Sequence, residues 1–208
     1  MKIILVRHGE TDDNTSERMS GWTDTELSLK GIRQAHLLAQ RIKGMPVHRI
    51  LSSDLKRAVK TAEIIGQHQP DELFHEKLMG LREMHFGKLE QFTMKEIETL
   101  YPEEHNKIYR EGMAYAFPEG ESLPSFHQRV MDTVDAYLER AEADETILIV
   151  AHSGTLRCIL SHWIVGEPGG HWRFAVDHCS LTLIDNVPDF PFIQTLNDTC
   201  HFDEQEES

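Results

Sequence analysis

Lys2-Ile3-Ile4-Leu5-Val6-Arg7-His8-Gly9-Glu10-Thr11 opens the chain with a short aliphatic run that stops at a cation, an imidazole and a glycine. An apolar run without in–out alternation predicts a strand over 2–6 that is buried on both faces, as in a mostly parallel sheet. A second run of the same kind, Thr146-Ile147-Leu148-Ile149-Val150-Ala151, also ends on a polar tip, His152-Ser153-Gly154. Open α/β sheets bind ligands outside the carboxyl ends of their strands. If the two strands are neighbours, His8 and His152 meet in one crevice.

Between these runs the periodicity changes from strand to helix. Ser28 caps a helix over Leu29 to Ile42, whose apolar stripe is Ile32, Ala35, Leu38, Ala39 and Ile42, with Gly44 beyond its end. A strand follows at 48–52, and Asp54 opens a helix to Gln67. From Glu83 to Pro124 the pattern loosens into short helical pieces at 93–100 and 103–110, which read as a helical lid insertion spanning about 84–125. Phe126 to Ala141 is amphipathic, Gly154 to Ile164 is helical, and 180–186 and 191–196 pair as strands around Pro188. The expected architecture is a three-layer α/β/α sandwich. Its sheet is mostly parallel and doubly wound, with an antiparallel edge. One domain covers 1–202, and 203–208 is an acidic tail.

The 208 residues suffice for one such domain, and 39% hydrophobic with 27% charged residues is the balance of a globular chain. With 21 basic and 35 acidic side chains the net charge is −14. That field repels nucleic acid and anionic membranes, so an anionic substrate must be caught by a few cations concentrated in a cleft. Cys158, Cys179 and Cys200 are widely spaced and form no CxxC pair, which fits a reducing cytoplasm. The amino-terminal apolar run is too short for a signal peptide or a membrane span.

Arg7-His8-Gly9-Glu10-Thr11, with Asn14 after it, resembles the first motif of the histidine phosphatase superfamily, which includes the cofactor-dependent phosphoglycerate mutases. The resemblance continues in order. It takes in Gly21-Trp22-Thr23-Asp24-Thr25-Glu26-Leu27-Ser28, then Ser52-Ser53-Asp54-Leu55-Lys56-Arg57-Ala58, then Leu81-Arg82-Glu83. Pro118-Glu119-Gly120-Glu121-Ser122 and Ala151-His152-Ser153-Gly154-Thr155-Leu156-Arg157 complete it. It implies that His8 is a nucleophile, that Arg7, Arg57 and His152 hold phosphoryl oxygens, and that Glu83 is the proton donor. Asn14 and the backbone near Ser20 and Gly21 would add contacts to the phosphate. The chemistry agrees: arginines beside an imidazole disfavour its protonated form, and guanidinium forks grip phosphate. No cofactor is implied.

Other readings stand beside these. Arg57 could pair with Asp54 on its helix, Glu90, Glu96 and Glu121 are alternative acids, and His85 is pocket lining or surface. Met79, Met84, Met94 and Met113 read as core filler. The histidines show no compact ligand spacing, so no metal site is expected. Met84-His85-Phe86 after Glu83, and few basic residues between Glu83 and His152, favour a phosphatase over a mutase. The chain most resembles the small broad-specificity and α-ribazole phosphatase branch, so the expected partner is a small phosphorylated metabolite such as α-ribazole phosphate, a sugar phosphate or phosphoserine. A monomer or homodimer is expected, and a phospho-ligand-binding protein without turnover is a further alternative. Leu89, Gln91 and Ser153 depart from the family pattern near the pocket.

Overall fold

The amino-terminal aliphatic run forms β1 (Lys2–Arg7) in the computed structural model, which describes residues 1–69, 73–187 and 190–205. The next strands are β2 (Arg49–Ser53), β3 (Phe74–Leu78), β4 (Thr146–Ala151), β5 (Leu181–Val187) and β6 (Phe190–Asp198), ordered β3-β2-β4-β1-β5-β6 in one sheet. β1 to β4 run parallel, while β5 is antiparallel to β1 and β6 antiparallel to β5. The antiparallel edge is therefore a pair of strands. The turn at Pro188 lies outside the described residues.

The helices are α1 (Asp12–Thr15), α2 (Leu29–Ile42), α3 (Lys56–Gly66), α4 (Met94–Leu100), α5 (Pro102–Glu111), α6 (Leu123–Leu138) and α7 (Ser153–Leu160). Alternate residues of β1 explain the three layers. Ile4 and Val6 join Ala35, Leu38, Ala58 and Ala62 of α2 and α3, whereas Ile3 and Leu5 join Phe126, Val130, Leu156 and Ile159 of α6 and α7. Both faces are thus sealed by apolar contact. No helix among the described residues is long and apolar enough to cross a membrane.

β1 and β4 are neighbours with Arg7 opposite Ala151, and the His8 amide donates to Ala151 O at 2.9 Å. After β1 the chain leaves towards the α2 face, and after β4 it enters α7 on the other face. Divergence of the two connections opens a crevice at the carboxyl ends of the strands.

Some boundaries differ from expectation. Asp54 does not open α3; its carboxylate pairs with Arg82 at 2.7 Å, and Asp24 from a distant loop accepts the Lys56 amide at 2.8 Å. α6 starts three residues before Phe126, because Ser122 caps it and Pro124 is tolerated in a first turn. α7 passes into a π-helical turn, Ser161–Val165, which ends at left-handed Gly166. Cys200–Gln205 forms a 3-10 turn where part of the acidic tail was expected, and 206–208 lie outside the described residues.

Candidate active site

At the crevice, a cavity of about 210 Å³ is lined by Arg7, His8, Asn14, Ser20, Gly21, Arg57, Glu83 and His152, together with Arg18, Met19, Phe86 and Ser153. All eight residues singled out in the sequence therefore line one cavity. They come from the ends of β1 and β4, from α1, the first turn of α3, and the loops around residues 20 and 83.

His8 is buried, and its Nδ1 lies 2.7 Å from Gly9 O. A carbonyl only accepts, so Nδ1 carries the proton and Nε2 keeps its lone pair. Burial, then the charges of Arg57 and Arg7, hold the imidazole well below its ordinary pKa. The His152 ring lies 5.0 Å from that of His8, and the same causes, with burial first, depress its pKa too.

Arg57 is buried, and its two terminal nitrogens donate to Thr23 O and Gly21 O, each at 2.8 Å. Gly21 holds that carbonyl in a left-handed conformation (φ 49°), and a Cβ there would meet Glu90 Oε1 at 2.3 Å. Arg7 donates to Val176 O at 2.8 Å, and burial lowers its pKa to about 10. Among the described residues, Arg7 Nε and both ring nitrogens of His152 are buried without a hydrogen-bond partner. Each such group costs about 1–3 kcal/mol unless something satisfies it. Arg7 Nε–H and the single N–H of the neutral His152 ring are the donors among them, and two such donors at one small cavity suit an oxygen-rich anion.

Glu83 accepts from the Met84 amide at 2.8 Å through Oε1 and from the Gly154 amide at 2.9 Å through Oε2. The alternative acids are engaged elsewhere. Glu90 accepts from the Trp22 and Thr23 amides, Glu96 caps α4 and meets Arg18, and Glu121 pairs with Arg129. His85 stacks on Trp22 at 4.5 Å. Asn14 Oδ1 accepts from the Thr11 amide and lies 2.9 Å from His178 Nε2, which leaves the Asn14 amide NH₂ as its group for an anion. Ser20 donates to Asp13 at 3.1 Å, and Gln91 donates to the same carboxylate at 2.9 Å.

His178 was not anticipated. Its ring lies 5.7 Å from that of His8, and burial first, then Arg7, lowers its pKa to about 3. The residue precedes β5, and an antiparallel strand beside β1 must begin where β1 ends. That pairing was the one signal in the sequence that could have located it.

A second cavity, of about 650 Å³, shares Met19, Glu83 and Phe86 with the first. It extends between Met94, Tyr109, Tyr115, Phe117, Phe126 and Trp172, and neither Lys nor Arg is among its described lining residues. Met84 is buried in the core as expected and also lines this cavity, whereas Met94 and Met113 line it outside the core, and Met79 and Met113 are about half exposed.

Neutral buried imidazoles predict a pH effect. The rings of His8 and His152 bind protons more readily in the unfolded chain, so stability is unaffected above the ordinary pKa of 6.5 and falls as pH drops below it. The expected loss is about 1.4 kcal/mol per pH unit for each ring. Urea unfolding should show it, with ring ¹⁵N shifts of both residues flat from about pH 8 to about pH 5.5. Shifts that titrate near neutrality would contradict it.

The sequence matches the histidine phosphatase superfamily (branch 1) over residues 3–199. It is 34% identical over 214 residues to the probable phosphoglycerate mutase GpmB of Yersinia enterocolitica, covering 98% of this chain and 95% of that one. Among solved structures it resembles the alpha-ribazole phosphatase from Shigella flexneri (TM-score 0.88, 30% identity, 95% and 96% of the two chains). It also resembles the phosphoserine phosphatase of Entamoeba histolytica bound to 3-phosphoglyceric acid (TM-score 0.80, 28% identity, 96% and 98%). The chain belongs to the histidine phosphatase superfamily and is an enzyme of phosphate-monoester hydrolysis.

Proposed function

We propose that the enzyme hydrolyses a phosphomonoester with a bulky apolar leaving group through a phosphohistidine on His8. The observation that carries the chemistry is the set of buried, unpartnered nitrogens of Arg7 and His152 beside a His8 whose Nε2 is unprotonated. Nε2 attacks phosphorus as the ester P–O bond breaks, and Glu83 delivers its proton to the departing alkoxide. Water then attacks the phosphohistidine, Glu83 takes back a proton, and inorganic phosphate leaves with His8 restored. Arg7, Arg57 and His152 offset charge on the equatorial oxygens throughout, with Asn14 and the backbone at Ser20 and Gly21 as further contacts. The proposed steps use side chains and backbone and assign no role to a metal or cofactor.

Glu83 lines both cavities, which supports a role as proton donor between the phosphate seat and the larger apolar space. A carboxylate-bearing body such as 3-phosphoglycerate or phosphoserine would bring an unpaired anion into that space. Arg18, the additional cation of the smaller cavity, is already held by Glu96 and Gln91 O. Among the described lining residues of the larger cavity there is no cation for the second anionic group of a mutase substrate, which favours hydrolysis. Of the candidate metabolites, one carrying an aromatic base, such as α-ribazole phosphate, suits the cavity better than a sugar phosphate.

1-Naphthyl phosphate should be hydrolysed with a kcat/KM at least about tenfold above that for phosphoserine or 3-phosphoglycerate, a difference of about 1.4 kcal/mol. Phe117→Ala should remove most of that advantage and leave phosphoserine turnover unchanged. Phe117 packs edge-on against both Phe86 and Tyr115 at 5.0 Å, so it shapes the space without touching the phosphate. Preference for phosphoserine in the wild-type enzyme would overturn the substrate assignment.

A further inference from the structure

Two imidazoles and a thiol converge inside the apolar layer between α6 and α7. His127 comes from α6, Cys158 from α7, and His171 from the 3-10 turn Pro168–Arg173 that follows α7. All three are buried, and their donor atoms lie within 4.8 Å of one another. His127 Nε2 is 3.0 Å from His171 Nδ1, and Cys158 Sγ is 3.8 Å from the same nitrogen. Cys158 belongs to the apolar cluster that includes Phe126, Val130, Met131, Ile159 and Leu160, and the Phe126 ring lies 6.5 and 6.4 Å from those of His127 and His171.

We propose that His127, Cys158 and His171 form a site for one borderline-soft divalent cation, zinc being the type. Tetrahedral zinc binds nitrogen at about 2.0–2.1 Å and sulfur at about 2.3 Å, which separates two nitrogens by about 3.4 Å and a nitrogen from a sulfur by about 3.6 Å. The two separations at His171 Nδ1 differ from these by a few tenths of an ångström, and all three ligand atoms lie within 4.8 Å, so rotamer changes that draw His127 and Cys158 together would close the set. Imidazole and thiolate together select zinc or cobalt over magnesium or calcium, which prefer oxygen. Binding is balanced by loss of the thiol proton to solvent: M²⁺ replaces H⁺ on Cys158, and the two histidines ligate as neutral rings.

Separations of 31 and 13 residues give no motif, which is why the sequence points away from a metal; only the packing of α6 on α7 unites the set. The three protein ligands leave the fourth tetrahedral position to a water or an added ligand, and the bound ion would brace the packing around it. It would tie the turn bearing His171 and Trp172, both on the wall of the large cavity, to the two helices beneath. It stands apart from the phosphoryl chemistry, whose cavity includes none of the three ligands.

The test uses the full chain, stripped with chelator, kept reduced and titrated with Co²⁺. One equivalent should produce the intense visible bands of tetrahedral cobalt and a thiolate-to-cobalt charge-transfer band, both lost when Zn²⁺ is added. Cys158→Ser should remove the charge-transfer band and His127→Ala should weaken cobalt binding at least tenfold. Cys200→Ser and His8→Ala should change neither. Should the histidine or cysteine variant unfold, the wild-type spectrum still decides. A wild-type protein with no charge-transfer band, or a band that survives Cys158→Ser, would overturn the site, whatever the fate of the phosphatase assignment.

Discussion

His8→Ala is expected to lower kcat by at least about 10⁴-fold while leaving the fold intact, because the residue proposed to form the covalent intermediate has no substitute among its neighbours. Among the described residues the His8 side chain hydrogen-bonds to the carbonyl of Gly9, so its removal opens a small hole without stranding a distant partner. His152 and His178 are the nearest imidazoles, with rings 5.0 and 5.7 Å away, and neither occupies the in-line position of the ring it would replace. The measurement is steady-state hydrolysis of 1-naphthyl phosphate beside circular dichroism of the variant. Activity within tenfold of wild type would remove His8 from the reaction path.

Arg57→Ala should be the next most damaging change, with kcat/KM falling by about 10³-fold. Arg57 is almost fully buried, and one guanidinium both braces the loop at Gly21 and Thr23 and presents charge to the phosphate cavity. Lysine should not rescue it, since a single ammonium cannot meet two carbonyls and an anion with one planar fork. After burial, Arg57 is the largest cause of the depressed His8 pKa, so its loss should also move the acid limb of kcat/KM to higher pH. An unchanged pH profile in Arg57→Ala would show that the two groups do not communicate.

The strands that bear the site were legible because they are buried on both sides. Ile3 to Val6 and Ile147 to Ala151 must be continuously apolar, and their polar tips follow at once. α2 was legible through its cap, where Ser28 Oγ accepts from the Gly31 amide at 3.0 Å. β3 escaped notice because it is an edge strand: Phe-His-Glu-Lys-Leu has one flank free of the ladder and few residues in the core, so nothing selects for apolar continuity. The start of α3 was hidden because its first amide is met by Asp24, thirty-two residues earlier, instead of by a local cap.

Side-chain types at the catalytic cavity could be read from ordered motifs, since attack, charge neutralisation and proton transfer each demand a particular functional group. The larger cavity could not. Met84, Met94, Met113, Phe117 and Trp172 are ordinary apolar residues one by one, and only the arrangement of α5, α6 and the turn after α7 leaves space between them. His178 and the His127–Cys158–His171 cluster share that character, since long-range packing creates them.

Hydrolysis by the proposed route requires that His8 Nε2 become phosphorylated. Rapid acid-free quenching of the wild-type enzyme during turnover of ³²P-labelled 1-naphthyl phosphate, followed by peptide mapping, measures this directly. Label should be found on His8 alone and should pass to water, with 3-phosphoglycerate failing to draw it off faster. Label on any other side chain, or burst-free turnover with an unlabelled protein, would contradict the account.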